Sequence, residues 1–235
     1  MNAKKQVAVV TGAARGIGLA ITRKFLASGD AVALLDIDAT TLATTTASLA
    51  APDQVLSIVC DVSQPAEVEA AIAQVDRRFG RLDALVNNAG IAVFKPILET
   101  TVEDWARVLA TNLTGPFLCT QACAPLMLRS GGGSVVNIAS ISGVRASTLR
   151  VAYGTSKAAL IHLTKQQAVE FGDAGIRVNC VAPGPVETAM AQQVHSADIR
   201  TSYHEAIPLN RYGTVDEIAD AVAFLCSDAA RFING

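Results

Sequence analysis

Between Gln6 and Asp36 the chain passes through a β-branched apolar run (QVAVV), a glycine-rich turn (TGAARGIG), an amphipathic stretch (LAITRKFLASG) and a second apolar run (AVALLD). These four pieces specify strand, turn, helix and strand, and two strands joined through a helix lie parallel in one sheet. The unit recurs. VLSIVCDV, ALVNNAG, SVVNIAS and IRVNCVAPG are short apolar runs ending in polar or glycine-containing turns, and they are separated by helical patterns such as PAEVEAAIAQVDRRFG and VEDWARVLATNL. Alternation of this kind predicts an α/β fold, a doubly wound parallel sheet with helices on both faces. Thr100 with Glu103, and Thr214 with Glu217, have the spacing of capping boxes and predict two helix starts. No linker, repeat or low-complexity tract divides the pattern, so one domain over residues 1–235 is expected.

The glycine turn has the chemistry of an anion site. Gly12 permits a tight turn, Gly16 lets backbone approach a pyrophosphate, and Gly18 lets the helix pack close to the strand, while the amides at the helix start favour negative charge. Asp36, at the end of the second strand, stands where a dinucleotide fold places an acid on the adenosine ribose. A carboxylate there accepts from both ribose hydroxyls and repels a 2′-phosphate, which argues for NAD. Arg15 points the other way: its guanidinium can pair with a 2′-phosphate, and equally with Asp36 or with the pyrophosphate.

A second constellation lies in the middle of the chain. Lys157 follows Tyr153 by four residues at the opening of a helix, so the two side chains share a face, and Ser140 precedes them at a strand end. An ammonium beside a phenol is expected to lower its pKa and make it usable as an acid or base.

TGAARGIG at 11–18, Asp61 with Val62 after the third strand, NNAG at 87–90, Asn112, Ser140, YGTSK at 153–157 and PGPVET at 183–188 occur in that order. Together they resemble the short-chain dehydrogenase/reductase family over essentially the whole chain, which implies a Rossmann sheet and a nicotinamide cofactor. Within that family the chain is similar to members that oxidise secondary alcohols or reduce ketones, and to the 3-oxoacyl-carrier-protein reductases. The resemblance implies Asn112, Ser140, Tyr153 and Lys157 as the catalytic set. Tyr153 is then the general acid or base, and Ser140 holds the substrate oxygen. Lys157 also holds the nicotinamide ribose, and Asn112 holds a water linking Lys157 to solvent. The implied cofactor site adds to Gly12, Arg15, Gly16, Gly18 and Asp36 the residues Ile17, Ile37, Asp61 and Val62. Asn88, Ala89 and Gly90 are expected at the riboses, and Pro183, Gly184, Val186 and Thr188 around the carboxamide. An NADPH-dependent 3-oxoacyl-carrier-protein reductase is the alternative activity. A dinucleotide-binding sensor or scaffold is the alternative class, although a binder has no need of a phenol paired with an ammonium.

A net charge of −2 offers no basic footprint for nucleic acid and no polybasic patch for a membrane, leaving a small-molecule alcohol or ketone as the expected partner. Lys4 and Lys5 precede an apolar run far shorter than a signal-peptide core, and a cytoplasmic protein is expected. Cys60, Cys119, Cys123, Cys180 and Cys226 form an odd set without a CxxC pair, as reduced thiols do, and no metal is expected. His162 is expected to pack in the core or at an interface; His195 and His204 flank SADIRTSY, which reads as a mobile segment, with a substrate role for either as the minor alternative. Val93, Phe94, Ser142, Val144, Pro185, Met190 and the 190–207 segment are candidate pocket walls, with Val93 and Phe94 equally readable as core. Family members assemble as tetramers through the helices holding 111–128 and 153–171, so a homotetramer is expected. The chain stops at RFING, where the family continues into a final strand, so IRVNCVA is expected to be an unpaired sheet edge.

Overall fold

A computed structural model describes residues 5–188 and 197–235. Six strands form one parallel sheet: β1 (Val7–Thr11), β2 (Ala31–Asp36), β3 (Val55–Val59), β4 (Ala84–Asn87), β5 (Gly133–Ile138) and β6 (Ile176–Val181), in the order β3-β2-β1-β4-β5-β6. The chain winds outward from β1 to β3, returns to β4 on the other side of β1, and winds outward again. The change of direction between β1 and β4 opens a crevice at the carboxyl ends of the strands. The expected doubly wound sheet is present.

Helices α1 (Gly16–Ala27), α2 (Ala39–Leu49), α3 (Pro65–Phe79), α4 (Val102–Leu109), α5 (Gly115–Ser130), α6 (Val151–Phe171), α7 (Ala197–Ala206) and α8 (Val215–Cys226) connect and cover the strands. Both faces of the sheet are dry. Val9, Leu35, Leu85, Val135 and Val178 pack on one side with α3 and α5, and Val10, Leu34, Val86 and Val136 on the other with α1 and α8. Burial on both faces explains why the strands read as continuous apolar runs instead of alternating ones. Cys60, Cys119, Cys123 and Cys226 are part of this packing, and burial pushes the Cys119 and Cys226 thiols up to about 12. No described helix is long and apolar enough to cross a membrane.

Three expectations change. Thr214 and Glu217 do form the capping box at α8, but α4 is capped by Thr101, which accepts from Asp104 N, while Thr100 ends the preceding 3-10 turn with its hydroxyl donating to Pro96 O at 3.0 Å. Of the two places expected for His162, the core is ruled out and an interface is not: the residue is exposed on α6, where its ring nitrogen faces Gln166 across one helical turn at 3.1 Å. The edge strand β6 is not bare. Gly235 N donates to Val178 O at 2.9 Å and Val178 N donates to Asn234 Oδ1 at 2.8 Å, so the segment after α8 satisfies part of that edge.

Candidate active site

The crevice holds a cavity of about 970 Å³, lined from the β2–β3 side to the β5–α6 side of the sheet. On the first side stand the glycine turn, Asp36 and Asp61; on the second, Ser140, Tyr153 and Lys157. Of the residues expected at the cofactor, Gly12, Arg15, Gly16, Ile17, Asp36, Ile37, Asp61, Val62, Asn88, Ala89, Gly90, Tyr153, Lys157, Pro183, Gly184, Val186 and Thr188 all line it. Gly18 does not. It lies beneath the turn, where a Cβ would fall 2.3 Å from Gly12 O.

The turn fits a phosphorylated ligand. Gly12 and Gly16 have φ of +63° and +57°, and nothing lies within 4 Å of a Cβ built on Gly16, so that backbone is open to close approach. The cap residue of α1, Arg15, makes no side-chain capping bond, which leaves the first-turn amides to an anion. Asn88 fastens the turn from beneath, its Nδ2 donating to Thr11 O at 2.9 Å and to Gly12 O at 3.0 Å. That side chain is therefore an anchor for the loop, a role that sequence reading missed along with Thr11, whose hydroxyl accepts from the amides of Asn88 and Ala89 at 3.0 Å each.

Asp36 is buried and pinned. Its carboxylate accepts from Ala14 N at 2.9 Å and from Asp38 N at 3.0 Å. Arg15, left open by the sequence between three partners, pairs with a fourth, Asp38, at 3.2 Å, and its side chain is 65% exposed. Asp61 accepts from Ser63 N and Oγ at 2.9 and 2.7 Å.

At the other end α6 begins at Val151, so Tyr153 and Lys157 rise one turn apart as expected. The electrostatics differ from the expectation. Burial pushes the Tyr153 phenol above its ordinary value of 10.0, partly offset by a hydrogen bond with Ser140 and by the nearby Arg150 charge. Lys157 Nζ donates to Ile138 O at 2.7 Å and lies 5.8 Å from the centre of the Tyr153 ring. Burial lowers Lys157 itself to about 8.

Asn112 sits in a π-helical turn, Ala110–Thr114, between α4 and α5. It does not line the cavity. Its Oδ1 accepts from Ile91 N at 2.8 Å, and its Nδ2 donates to Ile91 O at 2.9 Å and to Ser156 Oγ at 3.0 Å. The side chain clamps the strand-four loop against α6, holding Gly90 close to Lys157 Nζ. Among the expected substrate walls, Phe94, Ser142, Pro185 and, from the 190–207 segment, Tyr203 line the cavity, joined by Arg150, which sequence reading missed. Val93 and Val144 do not line it, and Phe94 is 36% exposed, not core. His204 packs edge-on against Tyr212, with ring centres 5.5 Å apart; Met190 and His195 lie outside the described residues.

A family model described as enoyl-(acyl carrier protein) reductase matches residues 12–235. Relatives similar over nearly the whole chain include 2-(R)-hydroxypropyl-CoM dehydrogenase of Xanthobacter autotrophicus, 44% identical over 98% of this chain and 94% of its own. Another is D-threitol dehydrogenase of Mycolicibacterium smegmatis, 40% identical over 98% of this chain and 89% of its own. Among solved structures, NAD+-bound xylitol dehydrogenase superposes with a TM-score of 0.92 at 35% identity, covering 97% of this chain and 95% of that one. The chain belongs to the short-chain dehydrogenase/reductase family. It is an oxidoreductase of a nicotinamide-dependent family, acting on alcohols and ketones.

The packing under the turn gives a direct test. In Gly18→Ala the new methyl meets Gly12 O at 2.3 Å and the Asn88 Nδ2 that anchors the turn at 2.7 Å, so the turn must shift. Strain of about 1–3 kcal/mol is expected. Titration calorimetry should show nicotinamide dinucleotide binding weakened by about tenfold or more, with a lowered melting temperature; wild-type affinity would show that the turn tolerates the shift.

Proposed function

We propose that this enzyme is an NAD-preferring dehydrogenase of secondary alcohols, working reversibly on the matching ketones, with Tyr153 as general acid and base. The observation that carries the reading is the division of one cavity. A pinned carboxylate, Asp36, stands at its dinucleotide end, and a phenol, a hydroxyl and an ammonium converge at the other. NAD, when bound, supplies the hydride acceptor or donor. The chain's own residues do the rest. Ser140, hydrogen-bonded with Tyr153, holds the substrate oxygen near the phenol. Tyr153 as phenolate takes the hydroxyl proton in oxidation, and as phenol returns it in reduction. Lys157, held between Ile138 O and the Tyr153 ring, supplies positive charge and a donor at the nicotinamide end. Asn112 keeps Gly90 and Ile91 in place beside it.

Xylitol, threitol and 2-hydroxypropyl groups, which name the substrates of the relatives, all present a secondary carbinol, and this supports the same substrate class here. A 3-oxoacyl reductase using NADPH is less well supported, because Arg15 is engaged by Asp38 and Asp36 faces the cavity. Exposed apolar side chains on α5 and α6, Phe117 and Val169, support assembly as a homotetramer. The test is absorbance of the reduced nicotinamide during incubation with NAD or NADP and a panel of secondary alcohols, polyols and sugars. Turnover of a secondary alcohol with NAD is expected; cofactor binding with no turnover of any alcohol or ketone would favour a sensor.

A further inference from the structure

The substrate end of the cavity contains a cation that the proposed chemistry does not use. Arg150 caps α6 and lines the cavity together with Phe94, Ser140, Ser142 and Tyr153. It is half-buried, and among the described residues no carboxylate pairs with it. The other arginines that line this cavity are each paired with an acid: Arg15 with Asp38 at 3.2 Å and Arg107 with Asp104 at 3.3 Å. The guanidinium of Arg150 instead lies over Phe94, 5.3 Å from the ring centre, and makes one long contact, Nη1 to Ser142 Oγ at 3.4 Å.

Three features give this charge a direction. An aromatic face beneath a guanidinium holds the charge in place without neutralising it, and a guanidinium can grip a planar or forked anion in two parallel hydrogen bonds. The acids that line the cavity, Asp36 at the end of β2 and Asp61 after β3, lie across β1 and β4 from this end, so no acid among the described lining residues offsets the charge. The first turn of α6 carries no acid, and its positive end adds to the same field. The guanidinium is also close to the reacting position: Ser142 N donates to Ser140 Oγ at 3.1 Å, so the hydroxyl that Arg150 touches belongs to the residue next in line to the substrate oxygen.

We propose that Arg150 is a specificity-determining residue that selects alcohols and ketones carrying a carboxylate or sulfonate a few bonds from the reacting carbon. The assignment rests on the reading that Ser140 and Tyr153 hold the substrate oxygen. A neutral substrate leaves a half-desolvated guanidinium with only the Ser142 hydroxyl, whereas an acid supplies the missing counter-charge; hydrogen bonds to charged groups separate the two by about tenfold or more.

The test compares matched pairs with the full chain and NAD: β-hydroxybutyrate and γ-hydroxyvalerate, each against its neutral amide, together with the sulfonate analogue of the latter. The acid is expected to exceed its amide in kcat/KM by about tenfold or more in at least one pair. Arg150→Gln should bring that ratio to near one, and Arg150→Lys should keep part of it. A ratio near one in the unaltered enzyme, or a ratio that Arg150→Gln leaves unchanged, overturns the assignment. Should Arg150→Gln lose turnover on both members of each pair, calorimetric binding of pentanoate against pentanamide to the NAD-loaded protein decides instead. A preference for pentanoate that vanishes in the variant upholds the assignment, and no preference overturns it. Efficient oxidation of neutral alcohols without preference for acids refutes Arg150 alone; absence of turnover on every alcohol refutes the dehydrogenase reading, and the pentanoate titration still decides the role of Arg150.

Discussion

Tyr153→Phe is expected to oxidise a secondary alcohol about three orders of magnitude more slowly than the unaltered enzyme while binding NAD with similar affinity. The substitution removes one hydroxyl and leaves the ring in place, so the glycine turn and Asp36 on the far side of the sheet are untouched. Substantial residual turnover would mean that the proton goes elsewhere. Burial holds the phenol above 10.0 in the cofactor-free protein, and the hydrogen bond with Ser140 and the Arg150 charge offset only part of that rise. Oxidation requires the phenolate, so its rate should rise as pH rises into the alkaline range, while reduction, which requires the phenol, should fall. Difference absorbance of the phenolate against Tyr153→Phe should place the free-protein titration above 10.0, and NAD, whose oxidised ring is cationic, should move it down. A titration that NAD leaves unmoved would remove the electrostatic part of the reading.

Asp36→Ala is expected to collapse a preference for NAD over NADP that stands at about two orders of magnitude in kcat/KM in the unaltered enzyme. Two charges compete for a 2′-phosphate here, and their magnitudes decide between them. Asp36 is buried and fixed by the amides of Ala14 and Asp38, so it cannot retreat, and a like charge against it costs several kcal/mol. Arg15 pairs with Asp38 at the surface, a bond worth about 0–1 kcal/mol, so it can swing to a phosphate, but a solvent-exposed guanidinium repays little of that penalty. The repulsion wins. Without the Asp36 carboxylate the swing of Arg15 is unopposed and the ratio should narrow to within about tenfold, with some loss of NAD affinity because the ribose hydroxyls and two backbone amides lose their acceptor. Steady-state kinetics with both cofactors measures this, and equal use of NAD and NADP by the unaltered protein would sink the argument.

The sheet, its helices and the pairing of Tyr153 with Lys157 were legible before any coordinates, because each depends on separations of a few residues: apolar runs, the turn chemistry of Gly12 and Gly16, and the helical period that sets position i above i+4. The residues collected at the strand ends were legible too, since a doubly wound order delivers every one of those turns to the same edge. What each side chain then bonds to was not. Lys157 turns to Ile138 O, Asn88 to the turn at Gly12, Asn112 to Ile91 and Arg15 to Asp38, partners that lie 19, 76, 21 and 23 residues away in the chain. Thr101, not Thr100, caps α4, since Thr100 ends the 3-10 turn that precedes the helix. Arg150 stands three residues before Tyr153, yet nothing in that spacing shows that its charge is left without a counter-ion. Local periodicity determines elements and faces; the balance of a buried or half-buried polar group depends on which distant donors and acceptors the packing brings within about 3 Å, and that only the tertiary structure decides.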